Sequence, residues 1–519
     1  MREMNWKEEV EEIKRRQRMA LDLGGKENVN RQHEHGKLTA RERISQQLDE
    51  GSFREIGSLS GHAIYDDNGR LIGFTPANVV IGQGLVDGRR VVVAAEDFTV
   101  RGGSSEATIP EKWLWSEKLA LTMKQPLIRL VDTAGGSVKI IEKSGATKIP
   151  GYPDWPFSEL LGEVPVVGVA LGSVAGLGAF RVVSSHFSVM VKGTSQVFAA
   201  GPPVVEPATG QKLSKEQLGG YKIHARGSGL VDNEADTEAD AFGQVRRFLS
   251  FLPASVHEIP PVTEAADDPK RREEELLSII PRNRRQIYDP RKIIALVFDR
   301  GSLFEIGRYQ GPSTISMLGR LAGRPVGIMI NDTRQFGGGM TAASAQKMIR
   351  FVDMCDTFHL PIVNFTDQPG VMVGIEAEKA GTVRYAIRAL QAIEQSRVPW
   401  AAIIIRRVFG IAGSSYGRLR GLNLRYAWPS ARWGSLPIEG GVKAAYRKEI
   451  ESAPDPKAKT HELEAYYDQL QSPFRTAERF GILDLIDPRD TRPLLCDWVE
   501  QAYRILPQQL GPTARTMRS

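Results

Sequence analysis

Gly172 to Phe180 reads GSVAGLGAF and Val408 to Ser415 reads VFGIAGSS. Each follows an apolar run introduced by Val-Pro: VVGVAL after Val164-Pro165, and WAAIII after Val398-Pro399. A short apolar run bounded by turn residues reads as a buried strand, and small residues directly after it predict a tight turn with free backbone N–H groups. Free amides at a strand-to-helix turn form an oxyanion hole. Any parallel α/β sheet also needs glycines after its strands, so it is the correspondence between the two stretches that decides.

Placing Gly176 on Gly410 gives an offset of 234, which also carries Pro165 onto Pro399. LIRLVDTAGG from Leu127 faces PIVNFTDQPG from Pro361, and Arg101-Gly102-Gly103 faces Gly337-Gly338-Gly339. GSFREIG, from Gly51, recurs as GSLFEIG, from Gly301. A period near half the chain is too long for a solenoid and predicts two homologous domains, each with one oxyanion turn. The 519 residues suit two domains, 1–260 and 261–519, divided within the polar, Pro-rich linker Pro253 to Arg285.

The apolar fraction of 41% and charged fraction of 25% are those of a globular protein, and no apolar run approaches a membrane span. A net charge of +6 is compatible with an anionic ligand but does not argue for nucleic acid. Cys355 and Cys496 are the only cysteines, which excludes a disulfide framework and a Cys-rich zinc ribbon, and no metal site is expected. The acidic amino terminus (Glu8, Glu9, Glu11, Glu12) lacks the character of a secretory or mitochondrial leader, so a cytoplasmic location is expected. No phosphate-binding loop of the Walker type is present, and Lys124 sits in TMKQ, unlike a biotinylated lysine.

Helical spacing predicts an amphipathic helix from Trp6 to about Leu23, then a polar segment containing His33 and His35, both read as solvated. Thr39, three residues before Glu42, predicts a capping box. Strands are expected over Ala77 to Val86 and Arg90 to Ala95, with a hairpin at Asp87-Gly88. A helix over Ala107 to Lys124 and a strand over Leu127 to Val131 follow, in α/β order. Two carboxyl-terminal helices, Lys457 to Gln469 and Pro493 to Gln508, precede an end expected to fray.

Six stretches together point to a known family: KLTARERI with DEGSF (Lys37 to Phe53), EDFTVRGGSSEA (Glu96 to Ala107), EQLGGYKIHARGSGLVD (Glu216 to Asp232), FVDMCDTFHLPIV with DQPG (Phe351 to Gly370), YAWP (Tyr426 to Pro429) and YRKEI (Tyr446 to Ile450). Through them the chain resembles the carboxyltransferase (β) subunit of biotin-dependent acyl-CoA carboxylases, the propionyl- and methylcrotonyl-CoA carboxylase group. The resemblance implies an α/β fold of two crotonase-like domains in tandem. It implies transfer of a carboxyl group from carboxybiotin, carried by a biotin carboxylase/biotin carrier partner, to the α- or vinylogous carbon of an acyl-CoA. It also implies a hexamer of two stacked trimers, each site completed by a neighbouring subunit.

By the same resemblance, Gly176 and Leu177 hold the acyl-CoA carbonyl, and Ile411 and Ala412 the biotin carbonyl. Gly135, Gly136, Gly410, Gly413 and Ser414 line the substrate pocket. The family commonly has Gly-Gly where this chain has Gly176-Leu177, and Gly-Gly-Ala where it has Gly410-Ile411-Ala412. Small residues at Gly413 and Ser414, with Leu177 and Ile411 beside them, predict a deep apolar cavity that prefers longer or branched acyl chains. Two alternatives stay open: the α subunit of a biotin-dependent acyl-CoA decarboxylase, and a non-catalytic paralogue that keeps only the assembly surface.

Overall fold

The computed structural model describes residues 5–147, 149, 151–265, 267–417 and 424–518. The chain divides into two compact units: one runs through His257 and takes in the chain end from Thr516, and the other is Glu258–Arg515.

The first unit contains β1 (Arg54–Ile56), β2 (Gly61–Tyr65), β3 (Leu71–Pro76), β4 (Val79–Val86), β5 (Arg89–Glu96), β6 (Leu127–Thr133), β7 (Val166–Ala175), β8 (Phe187–Val191), β9 (Gln196–Phe198) and β10 (Asn233–Ala235). Its main sheet has the order β1-β4-β5-β6-β7-β8-β10, with β9 also paired to β7, while β2 and β3 form a separate hairpin. Pairing is antiparallel from β1 to β5 and parallel beyond. The second unit contains β11 (Phe304–Ile306), β12 (Thr314–Leu321), β13 (Arg324–Asn331), β14 (Ile362–Gln368), β15 (Trp400–Phe409), β16 (Leu424–Ala427), β17 (Arg432–Gly434) and β18 (Asp484–Leu485). Its order, β11-β12-β13-β14-β15-β16-β18 with β17 on β15, matches the first strand for strand.

The match reaches single residues. β7 and β15 are both ten residues long and buried except at Ser173 and Arg407, which stand 234 apart. The ladder β6–β7 shifts register between Val131 and Thr133, and β14–β15 does so between Thr366 and Gln368. Arg41, on the helix Ala40–Gln47, pairs with Glu55 of β1; Arg291, on the helix Pro290–Val297, pairs with Glu305 of β11. The structure moves one expected alignment by a residue. The left-handed turns are Arg101-Gly102-Gly103 and Phe336-Gly337-Gly338, with φ of 52°, 64° and 64° against 50°, 62° and 86°. A Cβ on Gly103 would lie 2.6 Å from Asp132 O, and one on Gly338 would lie 3.0 Å from Asp367 O.

Local signals set most element ends. The Thr39–Glu42 capping box forms on the helix Ala40–Gln47. Asp87 and Gly88, both at positive φ, turn β4 into β5. The helix expected from Ala107 begins only at Pro110, whose fixed φ suits the first helical position, and it ends at Lys124 in left-handed geometry. The polar segment around His33 is itself helical, Lys26–Glu34, anchored by buried Gln32, which donates to Leu38 O and to Asp132. His33 accompanies Glu42 at 3.0 Å. The carboxyl end does not fray: Met517 is 1% exposed, and apolar burial there fixes the chain within the first unit. Among the described residues no helix is long and apolar enough to cross a membrane, and no cluster of three metal-ligating side chains occurs.

Candidate functional site

In the first unit β7 delivers the chain to Gly176, at φ 58° and ψ −124°, and the helix Leu177–Val183 begins directly after it. The Gly176 N–H donates to Phe198 O at 3.2 Å. This corrects the expected donor pair, because the amide at 176 is already used to close β7 onto β9. The first two amides of the helix, Leu177 and Gly178, have no hydrogen-bond partner among the described residues. Gly178 is fixed by packing, since a Cβ there would lie 2.3 Å from Thr133 Cγ2.

Gly135, at φ 83°, lies against the end of β7, where its Cβ would sit 3.0 Å from Ala175 O. Thr133 Oγ1 holds this loop, donating to Gly103 O at 2.7 Å and accepting from the Gly135 N–H at 3.1 Å. Gly136 stands clear, with nothing within 4 Å of where its Cβ would be. The Leu177 side chain packs on the core cluster of Val79, Ile81, Ala94 and Trp113.

The second unit repeats the geometry. Gly410, at φ 62° and ψ −166°, donates its N–H to Gly434 O at 3.1 Å, and the 3-10 turn Ile411–Tyr416 follows. The amides of Ile411 and Ala412 have no partner among the described residues, and Gly413 N–H returns to Gly410 O at 3.1 Å. At the offset of 234, Ile411-Ala412 corresponds to Leu177-Gly178. The repeat therefore carried the signal for Gly178. Gly413 opens no cavity: a Cβ there would lie 2.7 Å from Val408 Cγ1. Ser414 Oγ is bonded to Ile411 O at 2.6 Å, and the Ile411 side chain is 67% exposed. The deep apolar cavity expected around these residues is thus not formed by Gly413 or Leu177 within either unit.

A buried aspartate braces each turn, and neither was singled out as functional from sequence. Asp132, near the end of β6, accepts from Lys37 at 3.0 Å, Arg43 at 3.1 Å and Gln32 at 3.1 Å. Gly172 of β7 passes so close that a Cβ would lie 2.0 Å from Asp132 Oδ1. Burial lowers the Lys37 pKa, against the pull of Asp132. Asp367 accepts from Tyr288 Oη at 2.9 Å and from Arg407 Nε at 2.5 Å. Burial, then Asp367, raises the Tyr288 pKa well above its usual value. Arg407 also donates to Gly337 O at 2.7 Å, tying the turn at 336–338 to β15.

A cleft opens in each unit. The first, about 980 Å³, carries Arg31, Lys37, Arg101 and Lys215, and the second, about 830 Å³, is lined by six arginines. Two unpartnered amides on a rigid turn suit an oxygen that gains negative charge, the requirement of a thioester enolate or of a biotin ureido carbonyl.

A family model described as "Carboxyl transferase domain" matches residues 31–504. The chain is 34% identical over 493 residues to the carboxyltransferase subunit of propionyl-CoA carboxylase from Haloferax mediterranei, covering 94% of this chain and 95% of that one. It is 32% identical over 475 residues to the α subunit of methylmalonyl-CoA decarboxylase from Veillonella parvula, covering 91% of each. A solved structure of transcarboxylase 12S, described as a hexamer assembly with methylmalonyl-coenzyme A bound, matches with a TM-score of 0.86 and 29% identity, covering 98% of this chain and 97% of that one.

Proposed function

Because the chain belongs to the carboxyl transferase domain family, with two crotonase-like α/β domains in tandem, we propose that it moves a carboxyl group between biotin on a partner subunit and an acyl-CoA. The first unit forms the acyl-CoA half and the second unit the biotin half. The observation that carries this reading is the pair of unpartnered amides at the same place in both units, Leu177-Gly178 and Ile411-Ala412. The Leu177 and Gly178 amides hold the thioester oxygen while the enolate forms, and the Ile411 and Ala412 amides hold the ureido oxygen. Biotin, when bound, supplies the carboxyl group and a basic nitrogen, so no catalytic histidine is required. One such donor contributes about 2.7–4 kcal/mol in enzymes where it has been removed. The basic residues of the first cleft suit the phosphates of an acyl-CoA.

The test is to mix the full chain with a carboxylated, labelled biotin carrier domain and a panel of acetyl-, propionyl-, methylcrotonyl- and longer acyl-CoAs. Label passing to at least one acyl-CoA is expected, and failure with all of them overturns the reading. The Veillonella relative favours a second reading, removal of the carboxyl group from a carboxylated acyl-CoA. Faster net transfer onto unloaded biotin than off loaded biotin would establish it.

A hexamer accompanies this function, supported by the hexamer assembly described for transcarboxylase 12S. It is also supported by exposed apolar side chains at each turn: Phe180 in the first unit and Ile411 in the second. Sedimentation is expected to give six copies, and an active monomer would refute the assembly.

A further inference from the structure

We propose that the second unit carries a binding cleft for a nucleoside polyphosphate, built on arginines that carboxyl transfer does not use. The cleft of about 830 Å³ is lined by Arg282, Arg284, Arg285, Arg406, Arg407 and Arg432, with Asp468 as the acidic lining residue among those described.

Three of the six, Arg406, Arg407 and Arg432, donate to backbone carbonyls of the fold. Arg406 donates to the carbonyls of Asn283, Arg284 and Gln286, pinning that loop to β15, and Arg407 is held by Asp367 and Gly337. Arg284 and Arg432 share the single carboxylate of Asp468. Arg432 Nη1 donates to Pro429 O at 3.2 Å and to Ala431 O at 2.7 Å, while its Nε is buried without a hydrogen-bond partner; burial, only partly offset by Asp468, lowers its pKa. The side chains of Arg282 and Arg285 make no bond among the described residues. Counting Asp367 behind Arg407 as well, two carboxylates face six guanidinium groups, and an excess of like charge in a confined space is relieved by a bound polyanion.

Position and shape narrow the ligand class. Gly337, Arg407 and Arg432 line this cleft where Gly102, Ser173 and Gln196 line the cleft of the first unit, and β15 pairs Arg407 with Arg432 as β7 pairs Ser173 with Gln196. Arg407 and Arg432 are therefore an addition specific to the second half. Planar guanidinium forks match phosphate oxygens bidentately. Leu276, Ile280 and Phe409 give the same cleft an apolar wall for a base. Its volume and concavity are those of a small-molecule site and unlike a flat protein interface.

The test is calorimetric titration of the assembled full-length protein with pyrophosphate, ADP, ATP and CoA. Saturable binding is expected, weaker at higher salt. It should fall about a hundredfold in Arg282→Ala/Arg285→Ala, about tenfold for each guanidinium group removed. Neither side chain bonds to protein among the described residues, so the thermal unfolding of this variant should match wild type. Arg282→Lys/Arg285→Lys, which keeps charge but loses the fork, should bind at an intermediate level. ADP binding as tightly as CoA identifies a free nucleotide as the ligand, and CoA binding without ADP identifies the nucleotide end of a CoA ester. Binding undiminished in the double alanine variant overturns the proposal. So does absence of saturable binding by pyrophosphate, ADP and CoA beyond one acyl-CoA site per chain, or capture of an acidic biotin carrier that ADP does not displace.

Discussion

Ile411→Pro is expected to lower kcat for carboxyl transfer by about 10²–10³-fold while leaving the unfolding temperature nearly unchanged. Proline removes one backbone N–H and little else at this position. Ile411 is the first residue of its 3-10 turn, where the missing amide breaks no bond within the turn and the fixed φ of proline is tolerated. Gly410 before it has an extended ψ of −166°, compatible with a following proline. The side chain given up is 67% exposed, so the packing loss is small. Ile411→Ala is the control, since it trims the same side chain but keeps the amide, and it should retain most activity. The comparison is kcat for both variants against wild type, with the labelled carrier domain in excess. Equal activity in Ile411→Pro and Ile411→Ala would remove this amide from the mechanism.

The two turns were legible because burial in a parallel sheet leaves a plain sequence trace. VVGVAL and WAAIII are covered on both faces, and small residues must follow where the chain turns against its neighbour. The repeat then supplied a second reading of each position. Which amides are free was harder to see, because it depends on a partner far along the chain. Gly176 looks like the donor until β9 is placed beside β7 and Phe198 O takes its N–H.

Buried charge was illegible for the same reason. Arg129 lies in the middle of LIRLVDT and is fully buried, satisfied by Glu117 and by the carbonyls of Arg181 and Ser184. Asp132 draws its partners from residues 32, 37 and 43. No local period encodes such a pairing. The emptiness inferred at Gly413 failed because a glycine can mark close packing as readily as open space, and here Val408 fills the volume.

Arg43→Met should destabilise the first unit by about 3–5 kcal/mol, the usual cost of removing one partner from a buried ion pair. Arg43 is fully buried and donates to Glu238 at 3.0 and 2.8 Å, to Asp132 at 3.1 Å and to Leu171 O at 2.8 Å. It thus joins the helix Ala40–Gln47 to β7, to the end of β6 and to the helix Glu238–Leu249. Asp132 keeps Lys37 and Gln32 when Arg43 is lost, whereas Glu238 loses both of its guanidinium bonds in a site that is 7% exposed. Most of the penalty therefore falls on Glu238. Arg43→Met/Glu238→Gln, which removes the orphaned charge, should recover part of the loss, because residues in one network are not additive. A chain of two units does not unfold as one step, so the readout is native-state hydrogen exchange at the amides of β6 and β7 in the full-length protein. Exchange there should speed up by about two to three orders of magnitude in Arg43→Met, and less in the double variant. Unchanged protection in Arg43→Met would mean that this buried network does not hold the first turn in place.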